Sequence, residues 1–168
     1  DGVRVVELGD GAELAIEGVK VRAVANTHYL SGSHAPDPAK AQSLSLRFEL
    51  PGRSVVFTGD TGPDERVVEL ARGADVLVSS ILDLDAAVAA IRASRPNAPP
   101  AFFQAARSHF AQHHLSPAAA GQLASAAGVG RIVFTHIGIT PERMRAARAD
   151  LARSWRGPVT FARDLGAY

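Results

Sequence analysis

"SVVFTGDTGP", residues 54–63, is an apolar run that stops on a carboxylate, Asp60, and is then broken by Gly62 and Pro63. Val55, Val56 and Phe57 read as a buried strand, and the residues after them as a strand-to-loop junction. "RIVFTH", residues 131–136, follows the same grammar: apolar residues, then Phe–Thr, then a potential metal ligand. In layered α/β folds reactive groups collect where strands end and loops begin, because the strand fixes position while the loop gives access. Asp60 and His136 are therefore expected side by side at one edge of a sheet.

Working outward, the first fifty residues alternate short β-like runs with turns: "VRVVEL" at 3–8, "AELAI" at 12–16 and "VKVRAVA" at 19–25, separated by Gly9–Asp10–Gly11 and Glu17–Gly18. This predicts an antiparallel start. A long polar loop with prolines spans 26–42, and "SLSLRFEL" at 43–50 puts Leu44, Leu46, Phe48 and Leu50 on one face. Beyond Asp60 the pattern becomes strand followed by helix. Thr61 is placed to cap a helix starting near Pro63 and ended by Gly73, and "DVLVSS" at 75–80 is a buried-type strand. "DLDAAVAAIRAS" and "PPAFFQAARSHFAQHH" read as two helices, and "SPAAAGQLASAAG" as a third closed by Gly128. A helix from Thr140–Pro141 to about Trp155 and a strand in "GPVTFARD" complete the chain.

At 168 residues, 46% hydrophobic and 21% charged, the whole of 1–168 reads as one soluble α/β domain with enough material for a core. The formal charge of +1 contains no block of like sign, so charge alone assigns neither nucleic acid nor a membrane surface as partner. With no cysteine, any metal must be held by His, Asp or Glu. No apolar run approaches the roughly 20 residues that span a bilayer, and the start lacks a signal-peptide pattern. The one methionine is Met144, so a chain opening "DGVRVVELGDG" is expected to be a processed or cut piece, cytoplasmic or periplasmic.

Asp60 alone is an ordinary turn former or helix cap. A receiver-type phosphoacceptor also places Asp at a strand end, but it needs an acidic pair near the first strand and a later Lys, and no such set is present. His28, in "ANTHYL", and His136 each have a plain reading as hydrogen-bonded structural residues. Taken together, two imidazoles and a carboxylate that each end a β-run form the ligand set favoured by borderline cations such as zinc. His109 and His113 are spaced i, i+4, yet "HFAQH" lacks the Glu of HExxH, and both read as surface or packing residues. His34, in the loop, reads as solvated.

"ANTHYL", "SLSLRFELPGRSVVFTGDTGP", "GADVLVS", "HHLSPAAAGQLASAAGVGRIVFTH" and "VTFARDL" resemble the C-terminal half of a metallo-β-lactamase-fold hydrolase, of the branch near ribonuclease Z and the arylsulfatase-like enzymes. The resemblance covers essentially the whole chain. It implies half or more of an αββα sandwich, a mixed β-sheet with flanking helices, and a metal site of two ions, zinc or another divalent cation. His28 matches a histidine on the first metal, Asp60 the carboxylate bridging both, and His136 the last histidine, on the second. His114 matches a histidine near the scissile group that donates a proton. The implied reaction is attack of metal-bound hydroxide on an ester, lactone, amide or phosphodiester, with a small molecule or a phosphodiester as the substrate.

Two departures qualify that match. The family's HxHxDH element is absent, since none of the 27 residues before His28 is a histidine. Ser80 stands where relatives carry a Glu. Half a fold would also expose an apolar sheet face, so association with an N-terminal piece, a second chain or another copy is expected. Two other readings stand beside the hydrolase: a non-catalytic module serving assembly or ligand binding, and a swapped oligomer in which His34, His109 or His113 of a neighbour rebuilds the site.

Overall fold

The computed structural model describes residues 2–3, 5–29, 37 and 41–168. One seven-stranded sheet runs through it, and its strands lie in chain order. β1 (Glu13–Ile16), β2 (Val19–Ala25), β3 (Leu44–Leu50) and β4 (Arg53–Phe57) form an antiparallel meander. β5 (Val76–Leu82), β6 (Arg131–Gly138) and β7 (Val159–Phe161) then add parallel to β4. The mixed α/β sheet expected from the sequence is the one observed.

Each parallel step is bridged by helix: α1 (Glu65–Ala71) before β5, then α2 (Leu84–Ser94), α3 (Pro100–His113) and α4 (Pro117–Ala127) before β6, and α5 (Met144–Leu151) before β7. Because the sheet grows in one direction and such crossovers are right-handed, the helices collect on one face. Val56, Leu77 and Ile132 lie in register across β4, β5 and β6. With Phe134 they form the floor of a core completed by Val67 and Leu70 of α1, Leu123 of α4, and Ala147 and Leu151 of α5. Phe134 is fully buried, so its replacement by Ala costs about 3–5 kcal/mol.

The other face carries Leu14, Leu46, Phe48, Val55, Phe57, Val78 and Val133, from the alternate positions of the same strands. None of these seven belongs to the cluster packed under the helices, although Val133, with Val21, Ala23 and Val76 of the same face, is buried. Phe57 is 44% exposed and Ile16, at the β1 edge, 53%. The apolar face expected for half of a sandwich is present, and among the described residues it is partly exposed, most at Phe57 and Ile16.

Two local expectations are corrected. The described residues of "VRVVEL", 3 and 5–8, form no strand, and Val3 and Val5 project into solvent. Alternation makes a segment suitable for a ladder, but the ladder needs a neighbour, and β1 pairs only with β2. The cap of α1 is Asp64, whose carboxylate accepts from the Arg66 N–H at 2.8 Å. Thr61 is committed instead to the adjoining loop, within 3.3 Å of the Thr27 hydroxyl.

Candidate metal centre

The C-terminal ends of β2, β4 and β6 deliver His28, Asp60 and His136 to one edge of the sheet, and the C-terminus of α3 delivers His114. His28 lies on a 3-10 turn, Thr27–Tyr29, directly after β2. Its Nδ1 is 3.1 Å from the His113 carbonyl. A carbonyl only accepts, so Nδ1 carries the proton and Nε2 keeps its lone pair for a ligand. His113 repeats the device in reverse, its Nδ1 lying 2.9 Å from the Thr27 carbonyl. Two histidine-to-carbonyl bonds thus staple the loop after β2 to the end of α3.

Asp60 is held by a turn built from small polar residues. Gly59 adopts φ +61°, where a Cβ would stand 3.2 Å from the Leu44 carbonyl. Its own carbonyl accepts from the Thr58 hydroxyl at 2.7 Å and the Ser80 hydroxyl at 3.1 Å. The Asn26 amide donates to Ser45 Oγ and to the Thr58 carbonyl, which also accepts from Ser45 Oγ at 2.6 Å. Asn26, Ser45, Thr58, Thr61 and Ser79 are all buried. A buried polar web is costly unless its members are bonded, and bonded it is rigid. Sequence reasoning missed this web. The available signal was polar residues at alternate positions of strands that otherwise read as core, Ser45 and Thr58 above all.

One ligand atom each from His28, Asp60 and His114 lies within 4.8 Å of the others, and all three residues are half-buried. Among the described residues this is the one such group of three. The His28 and His114 rings meet edge-on with centroids 5.0 Å apart. His136 Nε2 is 3.8 Å from Asp60 Oδ2, on a side chain 76% exposed. The register explains its reach: Ser79 pairs with Phe134 and Ile81 with Ile137, so Thr135 and His136 bulge opposite Ser80. His136 takes φ +47° there. A bulge of this kind re-aims a side chain beside a site.

Burial, its largest influence, holds the His114 imidazole below the ordinary histidine range; Asp60 pulls upward, and His28, His113 and His136 add to the lowering. The ring is therefore neutral at neutral pH, the form that ligates metal or takes up a proton. Neutral imidazoles around a carboxylate fit a zinc-type cation by donor chemistry.

The structure thus brings together the four predicted residues His28, Asp60, His114 and His136. Its tightest group of three contains His114, with His136 on the open side of Asp60. His113 is buried and positions His28, while His109 is exposed with its ring 4.4 Å from that of His113. His34 lies outside the described residues. Ser80, where a Glu was expected, supports the Asp60 turn through Gly59.

The family profile for the Beta-lactamase superfamily domain matches residues 1–137. The chain is similar to the ribonuclease Z of Mycolicibacterium paratuberculosis, with 33% identity over 165 residues, 97% of this chain and 51% of the relative. It is also 35% identical to the ribonuclease BN of Escherichia coli over 92 residues, covering 55% and 24% of the two chains. Among solved structures, the metallo-β-lactamase fold protein YhfI of Bacillus subtilis superposes with a TM-score of 0.65 at 15% identity, over 94% of this chain and 52% of that one. The short form of human tRNase Z superposes with a TM-score of 0.52 at 18% identity, over 91% and 42%. At these identities the structural likeness is one of fold. The chain spans about half the length of the mycobacterial relative it matches.

Proposed function

Because the chain belongs to the β-lactamase superfamily, we propose that it supplies one side of the metal centre of a hydrolase that cleaves phosphodiester bonds. The observation that carries the reading is the convergence of His28, Asp60 and His136 at one edge with His114 against His28, the His28 tautomer being already set for ligation. The phosphodiester is favoured over an ester or lactone by the relatives that carry the name ribonuclease Z.

A divalent ion held here, zinc by donor chemistry, would lower the pKa of bound water and polarise the scissile group. His28 offers Nε2, its ring fixed by the His113 carbonyl. Asp60 offers its carboxylate from a turn too tightly bonded to yield, and its burial becomes tolerable beside a cation. His136 reaches Asp60 from the bulge of β6. His114, neutral and in ring contact with His28, takes or gives a proton at a ring nitrogen. The remaining ligands of the site we assign to a segment or second chain seated on the partly exposed apolar face of the sheet.

The test is metal content by elemental mass spectrometry, together with hydrolysis of a chromogenic phosphodiester, on the chain alone and with a partner segment carrying HxHxDH. Asp60→Asn and His28→Gln should lower metal uptake at least tenfold. His114→Gln should retain metal and lose turnover; loss of metal would instead make His114 a ligand. If Asp60→Asn stabilises the chain and leaves metal uptake unchanged, the chain is a non-catalytic module and the proposal fails.

A further inference from the structure

The near-neutral total charge hides a division along the chain. Residues 84–168 carry ten arginines and no lysine against four carboxylates, a formal +6, whereas residues 1–83 carry eight cations against thirteen carboxylates, −5. The excess begins at the hairpin of α2 and α3. No residue of α2 is buried, although it contains Leu84, Val88 and Ile91, and α3 buries only Phe103 and His113. Both ends of the hairpin are rooted at the metal-site edge. Asp83, just before α2, bonds through its N–H to the Gly138 carbonyl at 3.0 Å, and α3 ends on His113 and His114. At 1.5 Å per residue, α2 carries its far end about 16 Å from that root.

Near the far end Arg92 lies in the last turn of α2, and Arg95 is the residue that caps it. The Arg92 guanidinium lies over the Phe103 ring at 4.0 Å, and that of Arg95 over Phe102 at 5.5 Å. Arg107, the third cation of the hairpin, is paired with Asp85, its one carboxylate. Arg92 and Arg95 make no ion pair among the described residues. An arginine stacked on a ring has already surrendered much of its freedom and keeps its N–H edge for an anion.

We propose that the α2–α3 hairpin is an arm that grips the phosphate backbone of a single-stranded nucleic acid and leads it to the metal-site edge. The separation of the two arginines from the site selects a polymer, since a small ester held at the metal would not reach them. Phosphate is the anion that guanidinium edges match in pairs. The arm deepens the phosphodiester reading and rests on it for the bond that is cut, but not for binding.

The experiment is fluorescence anisotropy of labelled single-stranded RNA with the 168-residue chain, in chelator, across a series of salt concentrations. Binding should weaken linearly in log–log form. Arg92→Glu with Arg95→Glu should reduce affinity tenfold or more and flatten the salt slope by about 1.4, at about 0.7 per phosphate contact on single strands. Lys20→Glu with Arg53→Glu, the same charge change at the opposite end of the sheet, should stay within twofold. Arg92→Gln with Arg95→Gln gives the same direction if the reversal disturbs folding, which a thermal melt reports. Equal losses from both pairs, no loss from the arm pair, or no salt-dependent binding by the parent chain would each overturn the arm. So would polyglutamate competing as well as RNA, which would make it a general acidic-polymer site. Binding that persists where metal-dependent hydrolysis is absent counts against the metal reading alone. Hydrolysis of a small diester without RNA binding counts against the arm alone.

Discussion

His136 holds φ +47°, a left-handed conformation that costs a residue with a Cβ about 1–2 kcal/mol. The bulge in β6 imposes it, and the result is an imidazole turned toward Asp60. His136→Gly and His136→Ala remove the same ligand and differ in the Cβ alone. In chelator the Gly variant should therefore be the more stable by about 1 kcal/mol, measured by urea unfolding; equal stabilities would show that the bulge carries no strain. Gly62 is a second such position, since a Cβ there would run into the Gln112 carbonyl at the end of α3. Backbone cannot swing aside as a side chain can, so Gly62→Ala should cost about 2 kcal/mol and disturb the bonds that fix His28 and His113. An unchanged unfolding midpoint would refute this. His28 and Asp60 were legible because each follows an unambiguous β-run. The bent backbone of His136 and the polar web around Thr58 were not, because a pattern of residue types does not report which partners a strand will find.

Among the elements, α2 shows most clearly how much hangs on its first residue. Asp83 accepts from the N–H groups of Asp85 and Ala86 at 3.1 and 3.0 Å. Its other oxygen lies 2.8 Å from Arg143 Nε. Burial alone would raise this carboxyl, but the Arg143 bond and charge, with the helix N–H groups, outweigh it and hold the pKa below the ordinary aspartate range. A group depressed in the folded state contributes stability that is fully present above its unfolded pKa of about 3.9. That stability is lost as pH falls through the lower folded value. Asp83→Asn keeps the cap and removes the charge, so the parent should exceed it in stability at pH 6 and the gap should close below about pH 4. A gap that does not depend on pH would assign the effect to geometry alone. The extent of α2 was readable in "DLDAAVAAIRAS", but its lack of burial was not. An alanine-rich helix with an apolar stripe has the same sequence whether or not another layer covers it. "VRVVEL" failed for the corresponding reason: strand character is a property of pairs.

At the scale of the whole molecule, the two faces of the sheet have opposite fates. One is sealed by α1, α4 and α5, and the other leaves Phe48 and Phe57 in edge-on contact, centroids 5.6 Å apart, under no helix of the described residues. In water such a face favours association. The 168-residue chain should sediment as a concentration-dependent oligomer, and Phe57→Glu with Ile16→Glu should shift it to monomer with little loss of stability, because both positions are already half in solvent. A parent chain that sediments as monomer at every concentration would remove the argument. The alternation of Leu44, Leu46, Phe48 and Leu50 foretold this face, although not what lies on it. The strict chain order of the strands also bears on how the molecule comes into being. Every strand finds its partner in the strand made just before it, and only β5 waits for a distant one, β6, which follows α2, α3 and α4. A chain emerging from the ribosome can lay down its sheet edge by edge, with each newly made strand stabilising the one before.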